Sequence, residues 1–125
     1  MANQAPGFVT RPDYRVDLLP ESRRVRVSFG GVAIADSTAA LRVEETGHEP
    51  VHYIPEKDLR LDLIHSTDHH TRCPYKGEAA YWTIEVAGKR SENAIWAYPT
   101  PYDEVRGLAG YYAFYRNRVD AITVG

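Results

Sequence analysis

The chain has 125 residues, 43% apolar and 26% charged, with a formal net charge of -2. That balance excludes a disordered polyelectrolyte and a membrane-embedded chain, and one domain of this length buries about two thirds of its unfolded surface without staples. Its fifteen Lys and Arg are scattered, with only Arg23-Arg24-Val25-Arg26 approaching a cluster, so no nucleic-acid partner is expected where a phosphate backbone demands a concentrated positive face.

A single cysteine, Cys73, leaves no internal disulfide and no cysteine-rich zinc site. The stretch Met1 to Gly7 lacks a charged region followed by an apolar one, and no run approaches a membrane span, so a cytoplasmic protein with a reduced thiol is expected. Nine Tyr and two Trp against three Phe point to partly wet aromatic surfaces, such as a groove, a pocket mouth or an interface.

Residues 1–12 are small and polar with two prolines and read as a flexible or surface-draped lead-in, and residues 13–125 read as one β domain. After a mixed stretch to Leu19, Val25, Val27 and Phe29 alternate with Arg24, Arg26 and Ser28 as a half-buried strand. Gly30-Gly31 supplies a tight hairpin, and Val32 to Ala35 returns antiparallel. Leu41 to Glu44 and Val51 to Ile54 are further strands, the second stopped by Pro55. Leu59, Leu61 and Leu63 fit either a strand or one helical turn, and His65 to Arg72 reads as a polar loop. Cys73 to Gly77 is a turn, Ala79 to Val86 a strand, and Ser91 to Tyr98 its return, making a central hairpin. A short helix over Tyr102 to Leu108 follows, then Tyr111 to Tyr115 and Val119 to Ile122 as a closing strand pair. Many short strands at such even spacing predict a mainly β, antiparallel sandwich or small barrel.

Five ordered blocks carry a resemblance. They are Val25-Arg26-Val27 with Gly30-Gly31 and Ala35-Asp36-Ser37; Tyr53-Ile54-Pro55 with Asp58; Cys73-Pro74-Tyr75-Lys76-Gly77 with Ala79 and Tyr81; Ala94, Trp96 and Tyr98-Pro99; and Gly110-Tyr111 with Ala113-Phe114-Tyr115. Together they span Val25 to Asp120 and resemble the family called domain of unknown function 427, also labelled nucleotidyltransferase-like. The resemblance implies a tent-shaped β fold, similar to methionine sulfoxide reductase B, the Mss-type exchange factors, Yippee proteins and the cereblon drug-binding domain. Those relatives hold a structural zinc with two CxxC pairs, which a chain with one cysteine lacks. The transferase label finds no glycine-rich phosphate cradle and no paired carboxylates on a strand end.

Cys73, Lys76 and Asp58 are the candidate chemical groups. A thiol is a nucleophile or redox centre when a neighbouring cation activates it, and otherwise a small packed turn residue. Lys76 before Gly77 suits an anion holder or a solvated turn lysine, and Asp58 after Pro55 suits an acid or base or a turn cap. In the central hairpin Trp82, Trp96 and Tyr98 suit either a pocket wall or the core, with Tyr53, Tyr81 and Tyr112 as further candidates for the lining. The set His65, His69, His70 with Asp62 or Asp68 lacks a fixed helical register, so neither a metal nor a cofactor is expected.

The leading expectation is a domain binding a small heteroaromatic or nucleotide-like molecule between aromatic walls, with catalysis left open. A Cys73-centred transferase or hydrolase, or the nucleotidyltransferase of the family label, is one alternative, and a non-enzymatic module pairing through Tyr111 to Tyr115 is another. A homodimer fits any of them, because short open sheets leave edges that symmetry closes.

Overall fold

The computed structural model describes residues 3–125, so Met1 and Ala2 of the lead-in lie outside the described residues. Ten strands follow along the chain: β1 (Val16–Pro20), β2 (Val25–Phe29), β3 (Val32–Ser37), β4 (Leu41–Glu45), β5 (Val51–Pro55), β6 (Ile64–Cys73), β7 (Gly77–Val86), β8 (Lys89–Ala97), β9 (Tyr111–Phe114) and β10 (Ala121–Val124). A short helix, α1 (Pro6–Thr10), precedes them, and 3-10 turns span Glu56–Asp58, Leu61–Leu63, Asp103–Leu108 and Arg116–Arg118. Seven strands form one sheet in the order β1-β4-β5-β9-β8-β7-β6, and β10, β2 and β3 form another. All pairings are antiparallel and neither sheet closes, so the mainly β, sandwich-like expectation holds and the barrel alternative does not. Among the described residues no helix is long and apolar enough to cross a membrane.

Gly30 and Gly31 have φ of 60° and 78°, the left-handed pair that a two-residue hairpin needs to match strand twist. Three expectations change. His65 to Arg72 is no loop, because it belongs to β6, paired with β7 from Ile64 opposite Ile84 to Cys73 opposite Gly77. Its polar side chains are mostly exposed because β6 is an edge strand, where period-two burial is not required, and a bulge between Ser66 and His70 interrupts the ladder. The ambiguous leucines become 3-10 turns around Leu59, which meets Ala35 in a bridge. The closing hairpin also dissolves: β9 lies inside the large sheet between β5 and β8, while β10 crosses to pair with β2, Ile122 opposite Val27.

Strand alternation divides the core. Val27, Ile34, Ile54, Ile84, Ile95 and Phe114 form one cluster together with residues of the small sheet. Tyr53, Tyr81, Tyr98, Val105, Leu108 and Ala113 form the other, which the Asp103–Leu108 turn joins.

Glu21 ties the strand ends together. Its carboxylate is almost fully buried and accepts hydrogen bonds from Arg23 (2.8 Å) and from the His52 ring (2.8 Å), with Arg42 at 3.5 Å. The Arg23 guanidinium foremost, with His52, holds this carboxyl well below its ordinary value of 4.5. A depressed acid contributes stability that is present above its unfolded value and lost as pH falls below it. The expected result is that Glu21→Gln is less stable than wild type at pH 7 and that the gap narrows progressively below pH 4.5, checked by urea denaturation across pH. A gap independent of pH would show that Glu21 acts through packing instead.

Candidate functional site

The turn between β6 and β7 is built to point Lys76 inward. Gly77 has φ of 119°, a region denied to side-chain-bearing residues, and a Cβ there would stand 3.3 Å from the Thr100 carbonyl. The Lys76 carbonyl accepts from the Tyr102 amide at 3.0 Å, which fixes the turn against the segment after β8. Lys76 is therefore 6% exposed, and its ammonium donates to Glu45 at 2.5 Å. Glu45 ends β4 and also accepts from the Tyr14 hydroxyl. Burial pulls the Glu45 carboxyl upward, but the hydrogen bonds from Lys76 and Tyr14 outweigh it and hold the group below its ordinary value.

The lead-in closes this arrangement from outside. Tyr14 stacks on Tyr75 with centroids 3.9 Å apart, and Phe8 meets the same ring edge-on. The Gly7 amide donates to the Pro74 carbonyl, and a Cβ on Gly7 would lie 2.6 Å from the Tyr75 ring, so only glycine permits this approach.

Beside the ion pair lies an open hollow of about 430 Å³, the size of a small-molecule site. Tyr53, Tyr81, Trp96, Tyr98 and Tyr115 wall it, with Glu45, His48, Glu49, Val51 and Lys76 around them. Strand register brings these rings together: Tyr81 stands opposite Trp96 across β7 and β8, and Trp96 opposite Ala113 of β9. Trp96 donates its indole N–H to the Tyr53 hydroxyl at 3.1 Å and lies 4.5 Å from the Tyr115 ring. Arg118 sits 4.8 Å over Tyr115 and donates to the Asn93 carbonyl, holding that ring in place.

Burial is the main force raising the phenols of Tyr53 and Tyr98 far above their ordinary value, and it pushes Tyr115 up to about 12. At neutral pH these hydroxyls are protonated, and they serve as hydrogen-bonding groups, not bases. Tyr53 already accepts from Trp96, which leaves its own proton without an acceptor among the described residues. Tyr98 is 7% exposed, and its hydroxyl has no hydrogen-bond partner among them. No fully buried side-chain polar atom of the described residues lacks a partner, so the Tyr98 hydroxyl keeps contact with solvent, and its residue lines the hollow.

Of the residues singled out in the sequence, Lys76, Tyr53, Tyr81, Trp96 and Tyr98 converge here, and Trp82, Tyr112, Asp58 and Cys73 do not. Trp82 pairs with Ile95, which turns its ring to the face opposite Trp96, where it packs edge-on against Tyr112 at 4.9 Å. Tyr112 donates to Glu56, and Asp58 accepts from Ser37 at 2.6 Å, anchoring the Glu56–Asp58 turn to the end of β3. Cys73 is half-buried against the tyrosine-rich cluster, while the ammonium that could activate it is engaged by Glu45. The three histidines of β6 separate: His65 faces Glu85, His70 faces Glu78 and His69 lies on the Tyr81 ring. Among the described residues no three His, Cys, Asp or Glu side chains gather as metal ligands.

Sequence reasoning missed Glu45, His48, Glu49, Val51 and Tyr115 as lining. Only Tyr115 carried a signal, as one of four aromatics in a strand that cannot bury all of them on one face.

No curated protein matches this chain. The family described as Domain of unknown function (DUF427) matches residues 17–125, the span that holds all ten hollow-lining residues, and the chain belongs to that family.

Proposed function

We propose that the protein binds a small planar heteroaromatic molecule, neutral or cationic, in the tyrosine- and tryptophan-walled hollow. The observation that carries this reading is the unpartnered Tyr98 hydroxyl, a donor on a mostly buried ring that lines the hollow beside four other aromatic rings. Indole and phenol faces stack flat rings, and the free Tyr53 and Tyr98 protons fix the orientation of a ring acceptor.

Electrostatics select among ligands. Lys76 is neutralised by Glu45, and Glu49, which makes no ion pair among the described residues, adds a carboxylate to the same wall, so the lining carries a net negative charge. A nucleoside base suits such walls, whereas a polyphosphate is repelled. The transferase label therefore gains no support from this hollow.

The test is titration calorimetry with nucleobases, cyclic imides, cationic heteroaromatics and magnesium nucleotides, on wild type and Tyr98→Phe. A ligand of the neutral or cationic classes is expected to bind wild type and to weaken about threefold to tenfold in Tyr98→Phe, the worth of one hydrogen bond. Thermal stability should be unchanged, since that hydroxyl serves no protein group. No binding by any class, or equal binding to both proteins, overturns the reading, and tighter binding of magnesium triphosphates than of free bases restores the transferase.

A further inference from the structure

We propose that the face between the β6–β7 turn and the Asp103–Leu108 turn is a binding site for an extended peptide segment of the form Ala-x-Gly, which the lead-in of this chain occupies in cis. Asn3 to Gly7 lie on it as a bound peptide would. Their amides engage it at alternate residues: Asn3 donates to Asp103 at 2.7 Å, Ala5 to Glu104 at 3.0 Å and Gly7 to the Pro74 carbonyl at 2.9 Å. The Asp103 amide returns a hydrogen bond to the Asn3 carbonyl at 2.8 Å. Alternate main-chain pairing of this kind holds an extended peptide against a folded domain, with affinity from the backbone and selectivity from the inward side chains.

Those side chains state the selectivity. Ala5 and Gly7 are buried, whereas Asn3, Gln4 and Pro6 are exposed. Ala5 has no exposed surface, so a larger side chain would have to displace its surroundings. A Cβ on Gly7 would stand 2.9 Å from the Pro74 carbonyl, a backbone atom, as well as against the Tyr75 ring. Between them, position x donates no hydrogen bond to this face, which suits the proline found there.

The seat belongs to the β domain and its occupant does not. Pro74, Tyr75, Asp103 and Glu104 lie within residues 17–125, the span that matches the family, and Asn3 to Gly7 precede it. The Tyr102 amide donates to the Lys76 carbonyl at 3.0 Å, which ties the two sides of the seat together independently of the lead-in. Beyond Phe8 the lead-in is exposed from Val9 to Asp13. A segment anchored at so few buried points opens at a free energy well below that of the paired strands, so a peptide of the same spacing competes for the seat in trans. The inference makes no use of the aromatic hollow and stands or falls apart from the planar-ring reading.

The probe is a synthetic peptide of residues 1–12, labelled at its C-terminus and followed by fluorescence anisotropy with full-length wild type and full-length Gly7→Val, whose own segment the added side chain expels. The expected result is saturable binding to Gly7→Val and binding at least about tenfold weaker to wild type, because a tethered competitor acts at an effective concentration in the mM range. A peptide that itself carries Gly7→Val should not bind. Adding Glu104→Ala, at an exposed position, to the Gly7→Val protein should weaken the native peptide about tenfold, the order of one hydrogen bond to a charged group, with circular dichroism unchanged. Ala5→Asp, which sets a carboxylate against Glu104, releases the segment by a second route and should behave as Gly7→Val does.

Absence of saturable binding to both released variants overturns the proposal, as does equal binding to wild type and variants, or binding of the Gly7→Val peptide as tight as that of the native one. A concentration-dependent dimer of wild type that Gly7→Val dissolves would put the lead-in of a second copy on the seat and defeat the cis arrangement.

Discussion

Replacing Lys76 by alanine is expected to lower stability by about 3–5 kcal/mol, a fall in melting temperature on the order of 10 °C. The lysine is 8% exposed at its side chain and Glu45 15%, so removing the ammonium leaves a mostly buried carboxylate with Tyr14 as its only close side-chain donor among the described residues. Burial then governs that carboxyl and raises it. The sign follows: a buried carboxylate without its cation is relieved by protonation, so the deficit of Lys76→Ala should shrink as pH is lowered through about 5. Pairing Lys76→Met with Glu45→Gln should recover much of the loss, because two neutral groups carry no such desolvation penalty. Urea denaturation of the two single variants and the double variant at pH 7 and pH 5 measures all of this. A loss under about 1 kcal/mol would show the pair to be screened as a surface ion pair is.

Ile54→Ala is the second large effect, expected at about 2–5 kcal/mol. Ile54 is fully buried in β5, whose neighbours β4 and β9 place it inside the large sheet, and its side chain joins the inter-sheet core. Truncation opens a void that paired strands on both sides cannot collapse to fill. Leu61→Ala is the control, since Leu61 is 49% exposed on a 3-10 turn and its loss should stay within about 0.5 kcal/mol. Equal costs at the two positions would mean that the sheets do not form the continuous core described here.

The local chemistry of the chain was enough to announce most strands. Alternation at Val25, Val27 and Phe29, the Gly30-Gly31 pair and the stop at Pro55 all state a backbone preference within a few residues, and each appears where expected. The β6 edge strand was not announced, because a strand wet on both faces has no period-two signal, only the hydrogen bonds of β7 beside it. The pairing of β10 with β2 was hidden for a related reason. Residues far apart in sequence were chosen as partners by burial of Val27 against Ile122, whereas proximity alone favoured a β9–β10 hairpin.

The candidate site divides in the same way. Local sequence states that a lysine stands before Gly77 in a turn and that a set of aromatics lies on the central hairpin, but not that the lysine turns inward. Tertiary structure decided which of them meet. Register put Tyr81 across from Trp96 and sent Trp82 to the other face, so two tryptophans of one hairpin line different surfaces. It also brought Glu45 to Lys76 from 31 residues away, cancelling the charge that the sequence offered to an anion. A residue's type and its local neighbours set what it can do chemically, but the low dielectric of a shared interior sets which charges and hydroxyls remain free to do it, and that depends on contacts no local pattern encodes.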